Sequence, residues 1–134
     1  DVLLMYAEAM NECEGPSAEI YNCIKQVRDR AGISTRDYSE YSSVEAMRQL
    51  IRNERGRELC FEALRKYDLI RWGIFVEAMH GYNEQTSDVR WDAGNTLASY
   101  ALLTANNVQQ KHIWLPIPLK ELGVNSALKQ NPMW

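Results

Sequence analysis

The 134-residue chain has little cysteine and histidine, the residues on which small stapled or metal-bound folds depend. Its three cysteines, Cys13, Cys23 and Cys60, follow neither a Cys-x-x-Cys nor a Cys/His zinc spacing, and their odd number argues against a disulfide framework. Free cysteine tends strongly to be buried, so we expect buried or half-buried thiols. A glycine-rich phosphate loop is also missing. The sequence therefore predicts neither a metal site nor a cofactor.

A basic surplus and a long apolar run are absent as well. The net charge is −3 at pH 7, whereas nucleic-acid binders usually carry a basic patch, so we expect no nucleic-acid partner. No apolar run approaches the roughly 20 residues that cross a bilayer, and no signal peptide is visible. A hydrophobic content of 46% is typical of a soluble globular protein and suffices for one domain over residues 1–134. Because the chain begins at Asp1 inside a helical pattern, we expect it to be part of a longer protein.

Helical periodicity dominates the beginning of the chain. Apolar residues recur at spacings of three and four over residues 2–13 and, more cleanly, over residues 17–31. Gly15 suits the end of the first helix, and Pro16 suits the first turn of the second. Because the turn is so short, residues 1–32 are predicted to form an antiparallel helical hairpin.

A third helix is predicted after a polar, aromatic loop at residues 33–43. Ser43 is a plausible N-terminal cap, and the helical pattern then continues over residues 44–72. Gly56 lies inside this pattern and marks a possible bend, while Gly73 is a natural stop.

The rest of the chain is less regular. Residues 74–82 favour a further helix, and the short apolar stretch 96–105 favours helix over strand. Pro116 and Pro118 force an extended backbone, which is followed by one helical turn at residues 119–123. No pair of alternating strands joined by a turn is found. The predicted fold is mostly α, with long core helices and an irregular, proline-containing C-terminal tail.

A densely charged segment, RNERGRELCFEALRKYDLIRWG, occupies residues 52–73. On a helical wheel, the apolar stripe of the third helix continues into charged residues: Glu54, Arg55, Glu58, Glu62 and Arg65. Apolar residues surround the rest of that helix, which indicates that the charged stripe is partly buried. An unpaired buried charge costs several kcal/mol, so these charges must be paired. We therefore predict a structural ion-pair network formed by Arg55, Glu58, Glu62 and Arg65.

Catalytic alternatives are weaker. Glu58 and Glu62 could act as paired carboxylates, but they would lie on one helix rather than across a cleft, and nearby arginines would lower their pKa values. A carboxylate-bridged di-metal bundle needs two Glu-x-x-His motifs, and the sequence has one, Glu77 to His80. His80 and His112 fit no nucleophile–base arrangement. We predict that the protein is not an enzyme.

Loop aromatics are the candidate ligand-binding residues. Tyr38 and Tyr41 lie in one polar loop, and Tyr82 and Trp91 flank another. Aromatic faces beside amide and carboxylate groups are typical of sugar-binding surfaces, although loop aromatics also pack back onto their own domain. The remaining tryptophans have apolar or proline-rich surroundings and are predicted to lie in the core: Trp72, Trp114 and Trp134.

Several segments, taken in order, resemble the C-terminal region of the SusD/RagB family. They are LLMYAEAMNE with VRDRAG, then RNERGRELCFEALRKYDLIRWG, then WLPIPLKEL, and finally the closing QNPMW. The resemblance covers essentially the whole chain. It has two departures, since Ala63 and Met133 stand where the family commonly has glycine.

This resemblance implies a mostly helical protein with tetratricopeptide-like (TPR-like) helix pairs. Residues 1–32 would form the last pair, and residues 33–134 an irregular α C-terminal part. Family members are outer-membrane lipoproteins on the cell surface of Bacteroidetes, held by an N-terminal lipid anchor that lies outside this chain. They bind oligosaccharides, or in some cases peptides, deliver them to a SusC-like TonB-dependent transporter, and are not enzymes. The family's ligand residues lie largely upstream, so none is transferred to this sequence.

A different class of function also fits the sequence. The hairpin of residues 1–32 could dock a partner helix, which would make the chain a TPR-like protein-interaction module without a ligand-binding role. The two functions differ in whether a small ligand or a protein surface is bound.

Overall fold

The computed structural model describes residues 1–34, 37–85 and 107–134, and of residues 81–85 it describes the backbone alone. Within these ranges the regular structure is entirely helical, as the sequence predicts. The chain divides into two compact units, Asp1–Arg65 and Lys66–Trp134. The prediction of a single domain over residues 1–134 stays a prediction.

The first unit begins with the predicted hairpin. Helix α1 spans Val2–Glu14 and helix α2 spans Ala18–Arg30. Gly15 ends α1 with a φ of 86°, a conformation that glycine adopts without strain, and its N–H donates to Asn11 O. Ser17 caps α2, because its hydroxyl accepts a hydrogen bond from Ile20 N at 3.3 Å.

Helix α3, Val44–Glu58, packs against this hairpin and completes the core of the first unit. The predicted cap is confirmed, since the Ser43 hydroxyl accepts from Ala46 N at 3.1 Å. The fully buried apolar side chains come from all three helices: Leu4, Ala7, Ile20, Ile24, Met47 and Ile51. The core therefore uses the apolar stripes that the sequence predicts on α2 and α3.

The prediction that one helix continues through residue 72 is wrong. Helix α3 ends at Glu58, and the next helix, α4, spans Arg65–Arg71. Between them Phe61 and Ala63 have φ values of 66° and 61°, which a right-handed helix cannot contain. Gly56, the expected bend, stays inside α3.

The second unit holds a smaller core around α4 and α5, Phe75–Gln85. Among the residues with described side chains, its buried apolar residues are Leu69, Phe75 and Val108. Gly73 separates the two helices with a φ of 73°, which agrees with the predicted stop. His80 Nε2 lies 2.8 Å from Val108 O and so connects α5 to the segment that follows residue 106.

The C-terminal tail is held by side-chain amides. After a 3-10 turn at Gln110–Ile113, the chain is extended and then forms helix α6, Leu119–Val124. The amide of Gln130 bonds both Ile117 N and Ile117 O, at 2.8 and 3.0 Å. Asn131 Nδ2 donates to Leu115 O at 2.6 Å. The extended part of the tail therefore lacks regular structure, because proline has no N–H to donate to a neighbouring strand. These side-chain hydrogen bonds order it instead.

Several burial predictions need correction. Cys23 is buried as expected, but Cys13 and Cys60 are exposed. Trp114 and Trp134 are also exposed. The Trp134 indole N–H bonds Lys111 O and Trp114 O, and its ring contacts Lys111 and His112, so this side chain lies against the tail and not in a core. The predicted helix at residues 96–105 lies outside the described residues. None of the helices described here is long and apolar enough to cross a membrane.

Candidate ligand site

The first unit contains an open groove along one side of α3, which we call the α3 groove. Its volume is about 820 Å³, within the range of small-molecule sites. The walls come from the end of α2, the segment that follows it, the 3-10 turn at Tyr38–Tyr41, and α3. The groove therefore depends on how the loop before α3 lies against the helices.

A buried ion pair fixes the walls of this groove. Arg28 of α2 donates to Glu54 of α3 at 2.9 Å and to the carbonyl of Ser34 at 2.7 and 3.2 Å. Glu54 is only 4% exposed and also accepts a longer bond, 3.4 Å, from Arg57. One guanidinium thus ties two helices and the following loop together, and charge-assisted bonds of this kind are stronger than neutral ones.

The surface of the α3 groove combines amide, aromatic and apolar groups. Gln49 Nε2 donates to Asn53 Oδ1 at 3.0 Å, so the two amides are held in fixed orientations one turn apart. Tyr41 is half-buried and packs against the core of the first unit. Ile33 and Leu50 add apolar surface. Such a surface can hydrogen-bond a polar ligand while contacting its apolar faces.

The structure separates the two tyrosines of the loop. Tyr38 packs edge-on against Tyr21 of α2, with ring centroids 5.5 Å apart, so it packs back onto the hairpin. Tyr41 lines the α3 groove. The turn that carries both begins at Asp37, whose carboxylate accepts from Ser39 N at 3.0 Å, and this backbone hydrogen bond lowers the pKa of Asp37.

The other two aromatic candidates are not placed. The side chain of Tyr82 and the whole of Trp91 lie outside the described residues. Their role as ligand residues stays a prediction.

The four residues of the predicted ion-pair network have different surroundings. Arg55 is buried and donates to Asp1 at 2.8 Å, and Glu58 pairs with Arg30 of α2. Glu62 and Arg65 are exposed and lie beyond the end of α3, so the expected stripe does not extend to them. The pairs formed by Arg55 and Glu58 connect α3 to other segments of the first unit, whereas the wheel considered only partners on one helix.

Sequence reasoning missed Arg28, Gln49 and Asn53. The last two belong to a regular series on α3, Ala46, Gln49, Asn53 and Arg57, spaced i, i+3, i+7 and i+11, and all four line the groove. That spacing defines one helix face and could have been found by placing polar residues, not only apolar ones, on the wheel. The partner of Arg28 could not be found, because residues 28 and 54 meet only in the folded unit.

The two histidines have structural contacts. His80 Nε2 lies 2.8 Å from a backbone carbonyl, and His112 Nδ1 accepts from Gln109 N at 2.8 Å. Across the described ranges, no group of three or more His, Cys, Asp or Glu side chains is placed to hold a metal ion.

Over the residues that the structure describes, the regular elements are helices, and the first unit is a TPR-like hairpin covered by a third helix. Comparison with known proteins names the family. The chain belongs to the SusD family, whose model matches residues 1–134. The resemblance noted in the sequence is thereby confirmed.

Individual relatives agree with this assignment. SusD-like protein P25 of Formosa agariphila is 38% identical over 133 residues, covering 98% of this chain and 22% of that protein. SusD-like protein P2 of the same organism is 30% identical and is covered over 24% of its length. A crystal structure of a SusD homolog from Bacteroides thetaiotaomicron superposes with a TM-score of 0.73 at 34% identity, covering 99% of this chain and 25% of that one. The chain thus spans about a quarter of the length of these relatives.

Proposed function

We propose that the protein to which this chain belongs is a non-catalytic glycan-binding protein of the cell surface. The observation that carries the proposal is the match of the SusD family model over residues 1–134, supported by relatives 30–38% identical. The α3 groove adds support, because a tyrosine beside fixed amides suits a polyhydroxylated ligand.

The proposed setting follows from the same family. The protein would be held at the outer membrane by an N-terminal lipid and would pass its ligand to a SusC-like TonB-dependent transporter. The arrangement of carboxylates is consistent with binding rather than turnover, since Glu58 is paired with Arg30 and Glu62 is exposed outside α3.

The test uses the complete protein and a panel of purified polysaccharides in native gels. Binding retards the protein in the gel, and the proposal predicts retardation by at least one glycan with no release of shorter sugars. Affinity purification from membranes of the native host should also recover a TonB-dependent transporter. Failure to bind any glycan, or cleavage of a bound one, would contradict the proposal.

A second function has one observation in its favour. Helix α1 exposes Val2 and Met5, which are 79% and 53% exposed, on the outside of the hairpin. Apolar side chains on an outer helix face can dock another helix, as in a protein-interaction module. Replacing both residues with serine should then abolish recovery of a protein partner while leaving glycan retardation unchanged. Unchanged recovery of the partner would exclude this role for α1.

A further inference from the structure

One face of α3 presents a row of polar side chains to the α3 groove. Gln49, Asn53 and Arg57 follow Ala46 at intervals that place all four on one side of the helix, and each of them lines the groove. Glu54, on the neighbouring row, is nearly buried and is occupied by Arg28. The groove therefore has a frame held by Arg28 and Glu54 and, beside it, two amide side chains, Gln49 and Asn53, that are available for contact.

The two amides of this row form a paired donor and acceptor. The bond from Gln49 Nε2 to Asn53 Oδ1 orients both amides and leaves Gln49 Oε1 as an acceptor and Asn53 Nδ2 as a donor within the described part of the chain. Adjacent hydroxyls of a sugar ring each donate and accept hydrogen bonds. An amide donor beside an amide acceptor thus matches a vicinal pair of hydroxyls.

The groove also offers surface for the apolar face of a sugar ring. Tyr41 is half-buried and held by the core, so its ring loses little freedom on contact. Ile33 and Leu50 lie in the same wall. An aromatic ring against the C–H face of a pyranose combines apolar burial with a defined orientation.

The charges of the groove select against an acidic ligand. The groove is lined by Glu40, Glu54 and Glu58 together with Arg28 and Arg57. Glu54 pairs with both of these arginines, and Glu58 pairs with Arg30 of α2. Arg28 is held by Glu54 and Ser34, which leaves its charge compensated. A uronate or sulfated sugar would have to compete with these carboxylates for the guanidinium groups, whereas a neutral sugar would not.

From these four observations we infer that the α3 groove is a subsite for a neutral oligosaccharide, contacted by Tyr41, Gln49 and Asn53. The inference rests on the glycan-binding function proposed above and adds the place, the contact residues and the charge class of the ligand. Arg28 and Glu54 act as positioning residues that hold the groove open.

The test is calorimetric titration of the complete protein with short neutral oligosaccharides of glucose, xylose, mannose and galactose, and with oligogalacturonate as the acidic probe. For the best neutral ligand, Tyr41→Ala should weaken binding about tenfold, and Gln49→Ala or Asn53→Ala about fivefold each. Two matched controls, Tyr67→Ala and Gln26→Ala, replace an exposed tyrosine and an exposed amide elsewhere and should leave the affinity unchanged. Circular dichroism of every variant checks that the helices remain folded.

The outcomes separate the inference from the function. Loss of affinity in the groove variants but not in the controls, with little dependence on salt, supports the neutral subsite. Binding of neutral glycans that is equal in wild type and groove variants overturns the subsite and leaves the proposed function standing. Preferential binding of oligogalacturonate would show that the ligand is acidic and would overturn the inference of a neutral one. Failure of the wild-type protein to bind any glycan contradicts the function itself.

Discussion

Ala63 and Met133 both have left-handed backbones, with φ values of 61° and 68°. These are the two positions at which the sequence departs from the glycine that is common in the SusD family. A non-glycine residue in this conformation brings its Cβ close to the neighbouring carbonyl, at a cost of roughly 1–2 kcal/mol. Both residues therefore hold, at the expense of stability, a conformation that glycine would adopt without strain.

The first prediction concerns this strain. Ala63→Gly should raise the free energy of unfolding by about 0.5–1 kcal/mol, because the relief of strain exceeds the extra entropy of glycine in the unfolded chain. Urea denaturation of the complete protein measures it. Ala9→Gly, at an exposed position inside α1, should instead lower stability by about 1 kcal/mol. Equal losses in both variants would show that residue 63 is not strained.

The second prediction concerns buried and exposed charges on α2. Arg28→Ala leaves Glu54 buried beside the more distant Arg57, and we expect a loss of about 3 kcal/mol in stability. Lys25→Ala, one turn earlier, breaks an exposed pair with Asp29 and should cost much less, because solvent screens this pair. Thermal unfolding of both variants gives the comparison. A loss for Arg28→Ala no larger than for Lys25→Ala would mean that Glu54 is solvated.

The third prediction concerns pH. Two hydrogen bonds from Arg48, at 2.6 and 2.7 Å, lower the pKa of Glu12 below its ordinary value of 4.5. A lowered folded-state pKa means that the ion pair stabilises the protein above that ordinary value and that its contribution is lost as pH falls through the folded pKa. Glu12→Gln should therefore lower stability at neutral pH and make the loss of stability on acidification smaller. Arg48→Gln should reproduce the effect, and an unchanged acid profile in both variants would contradict it.

At the scale of elements, the sequence predicts the helix ends that depend on contacts between neighbouring residues. Gly15, Ser43 and Gly73 mark helix ends through contacts within a few residues, and the structure has ends at each of them. The end of α3 was not predictable in the same way. The turn after it contains left-handed Phe61 and Ala63 where a glycine would have signalled the break, and the surrounding residues favour helix.

The candidate site likewise contains residues that could be predicted from the sequence and residues that could not. Tyr41 could be proposed from its loop and its residue type, and it lines the α3 groove. The opposite wall could not be proposed, because Arg28 and Glu54 lie 26 positions apart and meet only when α2 packs near α3. The partners that the structure shows for Arg55 and Glu58, Asp1 and Arg30, likewise lie on other segments, and the network with Glu62 and Arg65 stays a prediction.

A fourth prediction tests where α3 ends. Arg55→Ala removes a buried guanidinium together with its hydrogen bond to the exposed Asp1, and should cost about 1–3 kcal/mol. Glu62→Ala, on the exposed turn, should change the free energy of unfolding by less than about 0.5 kcal/mol. A continuous helix through residue 72 would make both losses large.

At the scale of the whole molecule, the chain leaves much apolar surface uncovered. Trp114, Leu115, Leu119 and Met133 are 58–83% exposed in the C-terminal tail. Monomeric soluble proteins rarely leave large contiguous apolar patches exposed. Because the relatives are about four times as long, we propose that other parts of the complete protein cover this surface.

The fifth prediction follows from that coverage. Residues 1–134 expressed alone should bind a fluorescent dye specific for exposed apolar surface and should associate as concentration rises, whereas the complete protein should do neither. Leu115→Ser with Leu119→Ser should reduce dye binding by the isolated chain. Equal dye binding by the isolated chain and the complete protein would show that the rest of the protein does not cover this apolar surface.

The most direct test of the central claim, that this chain contributes a sugar-binding groove to a non-catalytic SusD-family protein, is a crystal structure of the complete protein with a neutral oligosaccharide. We predict an intact sugar against Tyr41, with hydroxyls bonded to Gln49 and Asn53. A sugar bound elsewhere with the α3 groove empty, or a cleaved sugar, would contradict the account.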